Sequence, residues 1–282
     1  MQPTSGRLRH VRTGLWRWTA GDADLALKLF EGVNAHERLR TEAALYQELC
    51  RVGAPVPGFV AADADALALA RVWIPGTTLY EQLAADEPPG QSQASAVRDA
   101  WLRLLKALAP WYARIASTRR KAARRKRCRE LSAVAQALLD AMPKLPADAI
   151  HALCQTITAD DLVLLPLDAS PSNVVIDGNR VAFIDLELLG LDFADWTYAK
   201  YVSGVDETGA LRSLAARHPD DSELPGLDAS VTLLALARVA GLWNAPRIAT
   251  GSLPDVLPGS SRSIRRIRQS LGLESSVTSD SG

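Results

Sequence analysis

The sequence feature that most constrains the fold is a β-hairpin predicted in the second half of the chain. Residues 174–176 (VVI) and 181–184 (VAFI) are apolar runs separated by the turn signal D-G-N. Turn-forming residues between two such runs indicate a tight hairpin. A further apolar run at residues 162–167 predicts a strand, and the loop that joins this strand to the hairpin is rich in polar residues. The hairpin therefore determines which polar residues can meet.

Polar side chains flank this hairpin in a pattern typical of a magnesium site that handles phosphate. Asp168 and Asn173 lie on the loop before the hairpin, and Asp185 follows its second strand. Because a hairpin brings its two ends side by side, we expect Asn173 and Asp185 to converge on one ion, with Asp168 about a ligand's width away. Carboxylate and amide oxygens are hard ligands that suit Mg²⁺. Phosphoryl transfer from a nucleotide needs this kind of charge neutralisation and alignment.

The first part of the chain predicts a small antiparallel sheet with one helix. Residues 15–30 alternate apolar and polar side chains and break at A-G-D, which is a hairpin signature. Residues 36–52 carry apolar side chains on one helical face, and Gly53 is expected to end that helix. Residues 58–76 are typical of two more short strands with a turn near Asp63.

Helical periodicity dominates the rest of the chain. The predicted helices cover residues 82–105, 108–139, 147–157, 196–204 and 231–243, with breaks at the Pro88-Pro89-Gly90 turn and at the turn of residues 143–146. A strand-rich N-terminal part and a helix-rich C-terminal part of the sequence predict an α+β fold with two lobes and a cleft between them. We expect an N-terminal lobe at residues 1–74, a larger C-terminal lobe at residues 75–270, and a disordered polar tail at residues 271–282.

The composition excludes several classes of protein. The 282 residues are 48% hydrophobic and 23% charged, close to globular averages, so neither a disordered chain nor a coiled coil is expected. The net charge is +0, from 32 basic and 32 acidic residues, so attraction to nucleic acid would need a local patch. The N-terminus lacks an apolar signal segment, and no run approaches the ~18 apolar residues of a membrane span. We therefore expect a cytoplasmic protein with no membrane partner.

Cysteine and histidine spacing argues against a disulfide framework and against a structural metal. Cys50, Cys128 and Cys154 are far apart and form no C-x-x-C pair, so we expect them to be reduced. The histidines show no metal-ligand spacing.

The order D-A-S-P-S-N and then F-I-D-L-E resembles the H-G-D-x-x-x-x-N and I-D-x-E pattern of the aminoglycoside phosphotransferase-like small-molecule kinases. This family is a branch of the protein-kinase-like fold. Lys28 in LALKLF resembles the strand lysine of the family, and Glu42 in RTEAALYQEL resembles its helix glutamate. The resemblance spans roughly residues 14–201.

Two further segments resemble parts of the same family. The run ALARVWIPG resembles the strand and hinge that hold the adenine, which implies nucleotide contacts at Arg71, Val72 and Trp73. Asp195 in FADWTYAKYV resembles a buried aspartate that braces the catalytic loop. The resemblance thus implies a bilobal kinase fold with a small sheet lobe and a larger helical lobe.

The resemblance implies an ATP- or GTP-dependent transfer of the γ-phosphoryl group to a hydroxyl of a small molecule, such as an antibiotic or a sugar-like metabolite. In that reaction Asp168 orients the hydroxyl and accepts its proton, and Asn173 and Asp185 hold Mg²⁺. Lys28 contacts the phosphates, and Glu42 positions Lys28. The implied partners are the nucleotide and the acceptor, and we expect a monomer that does not take nucleic acid as its partner.

The sequence departs from the family pattern at Pro166, where the family has His, and at Leu167, where it has Gly. No G-x-G-x-x-G precedes Lys28 either. These departures keep open a second interpretation, a pseudokinase or binding module that retains the fold without turnover. Taken singly, Asp168 and Asn173 are also compatible with a loop cap and a turn residue.

A basic run, TRRKAARRKRCRE at residues 118–130, keeps two more interpretations open. It is either the solvated face of a helix or an anion-recognising patch, in which Arg120, Arg124 and Arg127 form one stripe that grips an acidic or phosphorylated acceptor. A polyanion binder acting through residues 119–129 is the corresponding alternative function. A second basic segment, residues 262–271, is a candidate continuation of this surface.

Overall fold

The computed structural model describes residues 7–12, 14–85, 90–143, 145–186, 188–202 and 227–239. These residues form an α+β fold in which an antiparallel sheet with one helix precedes a mainly helical part. The fold class predicted from the sequence is therefore confirmed. The lobe boundary at residue 74 stays a prediction, and the polar tail and the basic segment at residues 262–271 lie outside the described residues.

The N-terminal sheet has the strand order β1-β2-β3-β5-β4, with every neighbouring pair antiparallel. Its strands are β1 Arg7–Arg12, β2 Leu15–Ala20, β3 Ala23–Leu29, β4 Phe59–Asp63 and β5 Ala68–Val72. The predicted hairpin and the two later strands are present, whereas β1 was not predicted. The described residues of β1 are exposed at 7–11, so this edge strand has no buried apolar face that the pattern could have revealed.

Helix α1, Ala35–Arg51, crosses this sheet as predicted. Leu39, Tyr46 and Leu49 recur at helical spacing and are at most 3% exposed, so one face of the helix is buried. Glu42 lies on the same face and is 1% exposed. Gly53, with φ at 70°, ends the helix in the left-handed conformation that glycine adopts without strain.

The helices of the second part are α2 Leu79–Ala84, α3 Gln91–Ala113, α4 Ser117–Ala141, α5 Ala147–Ala159, α6 Ala194–Tyr201 and α7 Leu227–Val239. The predicted break between residues 105 and 108 is wrong, because α3 continues through Pro110 and the break lies at residues 114–116. Trp101, Leu104 and Leu108 form one buried stripe, which holds the helix intact across the predicted break. No described helix is long and apolar enough to cross a membrane.

The hairpin that anchors the second part is present, formed by β8 Val174–Asp177 and β9 Arg180–Phe183. A short strand, β6 Thr77–Thr78, extends it to the order β6-β8-β9. Strands β7 Val163–Pro166 and β10 Leu189–Asp192 form a separate antiparallel pair. Neither β6 nor β10 was predicted: β6 has two residues, and the four-residue β10 contains Gly190, a residue type that is uncommon in strands.

Gly76 fixes the path of the chain from the N-terminal sheet to β6. Its φ is 134°, and a Cβ atom built there would overlap the carbonyl oxygen of Ile176 on β8. Glycine is required at this position because the backbones of the connection and of the hairpin approach so closely. The hairpin with its flanking polar residues is thereby held next to the end of β5.

Candidate active site

The site is organised around the ammonium group of Lys28. Its Nζ atom donates to Oε2 and Oε1 of Glu42 at 3.0 and 3.2 Å, and to Oδ1 of Asp185 at 3.0 Å. Lys28 and Asp185 are separated by 157 positions in the chain. The pairing of Lys28 with Glu42 that the resemblance implied is therefore present, and Asp185 joins it from the hairpin.

The register of the sheet explains why Lys28 reaches Glu42. Lys28 lies two residues after the buried Ala26, so both side chains point to the face of β3 that α1 covers. Glu42 lies on the buried face of α1. Burial raises the pKa of Glu42, and the positive charges of Lys28 and Arg71 oppose that rise. Two cations thus compensate one buried carboxylate.

Arg71 joins this cluster through a contact that was not predicted. Its Nη1 atom donates to the hydroxyl of Tyr46 and lies 3.8 Å from Oε1 of Glu42. The guanidinium carbon lies 4.6 Å from the centre of the Tyr46 ring. The side chain therefore faces α1, and the predicted contact of Arg71 with the nucleotide stays a prediction.

Val72 and Trp73 occupy the predicted hinge. The backbone N–H of Val72 donates to the carbonyl of Gly58, and that of Trp73 donates to the carbonyl of Asp24. The guanidinium carbon of Arg17 lies 4.8 Å from the centre of the Trp73 ring. Both N–H groups are engaged within the protein, so the predicted adenine contacts of Val72 and Trp73 also remain predictions.

Asn173 connects the loop of Asp168 to the segment of Asp185. It ends a 3-10 turn, Pro171–Asn173, in which the Ser170 hydroxyl accepts from the N–H of Ser172. The side-chain amide nitrogen of Asn173 donates to the carbonyl of Asp168 at 3.0 Å. Its backbone carbonyl accepts from the N–H of Ile184, the residue before Asp185, at 2.9 Å. These bonds link the backbone of Asp168 to the side chain of Asn173, and the backbone of Asn173 to the residue before Asp185, whereas the convergence of Asn173 and Asp185 on one ion stays a prediction.

Asp185 has a backbone conformation that is unusual for a residue other than glycine. Its φ is 63°, in the left-handed region. Its side chain is 23% exposed and is bound to Lys28. Strained conformations of this kind persist where the surrounding contacts hold them and are concentrated at functional sites.

The residues present fit Mg²⁺ bound together with a nucleotide. Asn173 uses its amide nitrogen for Asp168, which leaves its side-chain oxygen as the ligand atom, and Asp185 offers a carboxylate. In the part of the chain that the structure describes, no three His, Cys, Asp or Glu side chains cluster to hold an ion. Mg²⁺ commonly takes only one or two protein ligands beside phosphate oxygens, so this donor set suits a nucleotide-bound ion better than a resident one.

Strand β10 holds the start of the loop that carries Asp168, where the sequence has Pro166 and Leu167. Pro166 is paired with Leu189, and the N–H of Leu167 donates to the carbonyl of Leu188 at 2.7 Å. The Leu167 side chain also packs so closely on Gly190 that a Cβ atom there would overlap it. Backbone pairing therefore holds the loop at these two departures from the family pattern.

Asp195 is buried as predicted, but its carboxylate makes no hydrogen bond to the loop that carries Asp168. The residue is 4% exposed, and neither carboxylate oxygen has a hydrogen-bond partner in the described part of the chain. Burial, with the nearby charge of Asp160, raises the pKa of Asp195 to about 8, although Arg98 opposes this. The expectation that Asp195 braces this loop is therefore wrong, and the loop is held instead by β10 and Asn173.

Arg124, from the basic run, is bound by other parts of the protein, although its side chain is 36% exposed. It donates to the carbonyls of Thr158 and Asp160, both at 2.6 Å, and to the carboxylate of Asp161 at 3.0 Å. Its guanidinium carbon lies 5.9 Å from the centre of the Phe193 ring. Arg124 therefore ties α4 to the end of α5 and to the start of α6.

Arg127, from the same basic run, is buried in the protein. It is 8% exposed. Its Nε atom donates to the carbonyl of Leu191 at 3.2 Å and lies 3.6 Å from Oδ1 of Asp192, which also binds Lys200. Its Nη1 atom donates to Glu130 at 2.6 Å. A buried ion cluster thus joins α4 to β10 and α6.

The prediction that Arg120, Arg124 and Arg127 together grip an acceptor is contradicted at Arg127, which is buried, whereas it stays a prediction at Arg120 and Arg124. All three arginines contact neighbouring parts of the protein, and the guanidinium carbon of Arg120 lies 5.0 Å from the centre of the Tyr112 ring. Helical spacing correctly put them on one face, but charge alone did not show that this face contacts the rest of the protein. The exposed basic residues of the run are Arg119, Lys121, Arg125, Lys126 and Arg129, which fits a solvated helix face.

An aromatic cluster behind the hairpin was missed by the sequence interpretation. Trp101 of α3 contacts Phe183, Tyr198 and Tyr201, with ring centres 5.6 to 5.8 Å apart. All four side chains are fully buried. The helical spacing of Trp101 with other apolar residues of α3 was the available signal. The cluster packs α3 and α6 against the strand that leads to Asp185.

The sequence model of the Phosphotransferase enzyme family matches residues 12–244. No curated protein matches the chain.

Among solved structures, the macrolide 2'-phosphotransferase MphH from Brachybacterium faecium is similar, with a TM-score of 0.56 and 15% identity over 89% of this chain and 90% of that one. The ADP-bound aminoglycoside phosphotransferase APH(2'')-Ib has a TM-score of 0.50 and 16% identity over 95% and 93% of the two chains. Choline kinase LicA from Streptococcus pneumoniae has a TM-score of 0.50 and 11% identity over 95% and 94%. At these identities the likeness concerns the fold.

Proposed function

Because the chain belongs to the phosphotransferase enzyme family, we propose that it transfers the γ-phosphoryl group of ATP or GTP to a hydroxyl group of a small molecule. The observation that carries this proposal is the triple contact of Lys28 with Glu42 and Asp185. It places a cation for phosphates beside a carboxylate for a metal ion. Charge neutralisation of this kind supplies most of what phosphoryl transfer requires from a protein.

Each residue of the site has a role in this proposal. Lys28 contacts the phosphates of the nucleotide, and Glu42 holds Lys28 in position. Asn173 and Asp185 hold Mg²⁺, which neutralises the charge of the phosphates when it is bound. Asp168 orients the acceptor hydroxyl and takes its proton as the hydroxyl oxygen bonds to the γ-phosphorus and the bond to the β–γ bridging oxygen breaks. The nucleoside diphosphate then leaves.

The donor and the location are part of the same proposal. A protein of similar fold, APH(2'')-Ib, has a structure with ADP bound, which supports an adenine nucleotide as the first donor to test. The free state of Cys50, Cys128 and Cys154 suits a reducing compartment. We therefore place the reaction in the cytoplasm, with the chain acting as a monomer.

The acceptor is proposed as an uncharged or cationic alcohol. The proteins of similar fold include a macrolide phosphotransferase, an aminoglycoside phosphotransferase and a choline kinase. The inward direction of Arg124 and Arg127 removes the reason to expect an anionic acceptor at that helix face. Macrolides, aminoglycosides, choline and sugars therefore form the first panel, and a role in antibiotic resistance follows if an antibiotic is the acceptor.

The test is ADP release by the full chain with Mg-ATP and each member of this panel, followed by mass measurement of the acceptor. We expect one class of acceptor to accelerate ADP release and to gain the mass of one phosphoryl group. Lys28→Met is the control, and it should abolish the acceptor-dependent rate. Nucleotide binding without acceptor-dependent release across the panel would instead support the pseudokinase interpretation.

A further inference from the structure

The carboxylate of Glu42 is bound by two cations from two neighbouring strands. Lys28 of β3 donates to it at 3.0 and 3.2 Å, and Nη1 of Arg71 of β5 lies 3.8 Å from its Oε1 atom. Glu42 is 1% exposed and Arg71 is 5% exposed, so both groups are shielded from water. Arg71 also donates to the hydroxyl of Tyr46 and lies over its ring.

The register of the sheet makes this arrangement specific. Lys28 is paired with Leu69, and Ala26 is paired with Arg71. Paired residues of antiparallel strands point to the same face, and alternate residues along a strand share that face. Lys28 and Arg71 therefore both point towards α1. The small side chain of Ala26 leaves room for the arginine.

Arg71 contacts α1 at two successive helical turns. Tyr46 follows Glu42 by one helical turn, so the two side chains lie above each other on the buried face. One guanidinium group contacts both of them. It thus fixes the rotation of the helix about its axis as well as the position of the Glu42 carboxylate.

The ammonium group of Lys28 cannot bind all of its anionic partners equally closely. Its single ammonium group is divided between Glu42 and Asp185, and in the proposed reaction it also contacts the phosphates. As Lys28 moves towards other anions, Glu42 would remain a buried carboxylate with weaker compensation, which is unfavourable. Arg71 stays next to Glu42 in that case, because its contacts with Glu42 and Tyr46 do not involve Lys28.

We propose that Arg71 is a positioning residue of the phosphoryl-donor site, which holds Glu42 in place so that Lys28 can bind the nucleotide phosphates. The inference rests on the proposed function. Arg71 acts through Glu42 and Lys28 and does not itself touch the nucleotide in this role. The role differs from the adenine contact that the resemblance implied for this residue.

The test compares Arg71→Met, Arg71→Lys and the parent protein by calorimetric titration with Mg-ATP. Methionine keeps most of the buried apolar volume but removes the charge, whereas lysine keeps the charge. We expect Arg71→Met to weaken Mg-ATP binding ~10-fold, and Arg71→Lys to recover most of that loss. Equal affinities for Arg71→Met and the parent would overturn the proposal, as would a loss that lysine does not reduce.

A double-mutant cycle separates positioning from general stability. If Arg71 acts through Glu42, Arg71→Met should have little further effect on Mg-ATP affinity in the Glu42→Gln background. Additive losses would contradict the proposal. Tyr46→Phe, which removes the hydroxyl and keeps the ring, should weaken binding in the same direction and less strongly. It provides the test if Arg71→Met does not fold.

Arg127→Met is the matched control. Arg127 is also a buried arginine beside a buried carboxylate, Asp192, but it lies on α4. We expect this variant to lower the melting temperature and to leave Mg-ATP affinity unchanged. Failure of the proposed function would appear differently, as absent phosphoryl transfer by the parent protein, and the binding measurements do not depend on turnover.

Discussion

At the scale of single residues, the central feature is one ammonium group that joins three elements. Lys28 lies on β3, Glu42 on α1, and Asp185 directly after the hairpin, and the contacts between them are 3.0 to 3.2 Å long. Ion pairs of this kind contribute less to stability than to geometry, because burying charges is itself unfavourable. This fits the proposed role of the cluster, in which it aligns charges for a nucleotide.

The buried carboxyl of Asp195 should make stability depend on pH. Its pKa is raised from 3.8 to about 8, chiefly by burial. Between these values the folded protein keeps a proton that the unfolded chain releases, so its free energy of unfolding should fall as pH rises from about 4 to 8. Asp195→Asn, which stays neutral, should remove this part of the fall.

Urea unfolding of the parent and of Asp195→Asn at several pH values between 5 and 8.5 measures this effect. The variant should gain stability relative to the parent as pH rises. Parallel pH profiles for the two proteins would show that Asp195 is ionised in the folded state, and would require a hydrogen-bonded partner for its carboxylate.

At the scale of elements, α4 is attached to the rest of the protein by arginines on its inward face. Arg124 binds two carbonyl groups and one carboxylate, whereas its neighbour Arg125 is exposed. Arg124→Met should lower the free energy of unfolding by about 2 kcal/mol, since it removes several charged hydrogen bonds. Arg125→Met should change it by less than about 0.5 kcal/mol. Denaturant unfolding of the two variants checks this, and equal effects would contradict the inward assignment.

Glycines at two turns should respond differently to alanine. At Gly76 an added Cβ atom would overlap the backbone of Ile176, whereas at Gly178 it would meet no atom within 4 Å. Both residues have positive φ. Gly178→Ala should therefore lower the free energy of unfolding only by the backbone strain, about 1 kcal/mol. Gly76→Ala should lower it clearly more, because the connection to β6 must shift. Thermal unfolding distinguishes the two, and a smaller loss at Gly76 would contradict this close approach.

At the scale of the whole molecule, the parts predictable from sequence were those with strong local signals. The D-G-N turn specified the hairpin, and the hairpin specified that Asn173 and the segment of Asp185 meet. The fold class followed from the division between strand-like and helical patterns.

Other features depend on contacts that a local pattern does not contain. Strands β6 and β10 are short, and each is defined by the partner that it finds on β8 or β7. The inward arginines of α4 have the same residue type and spacing as a solvated stripe, and only packing separates the two. The position of Arg71 beside Glu42 follows from the pairing of β3 with β5, which joins distant segments.

In the proposed function this chain is an active phosphotransferase, with Asp168 at the acceptor and Asp185 at the metal. The most direct test measures acceptor-dependent ADP release and Mg-ATP affinity on the same samples of Asp168→Asn and Asp185→Asn. Asp168→Asn should bind Mg-ATP as the parent does while its turnover falls ~10²-fold or more, the usual scale for loss of a positioned general base. Asp185→Asn should lose Mg-ATP affinity and turnover together. If Asp185→Asn instead bound Mg-ATP as tightly as the parent, the assignment of the site would be contradicted.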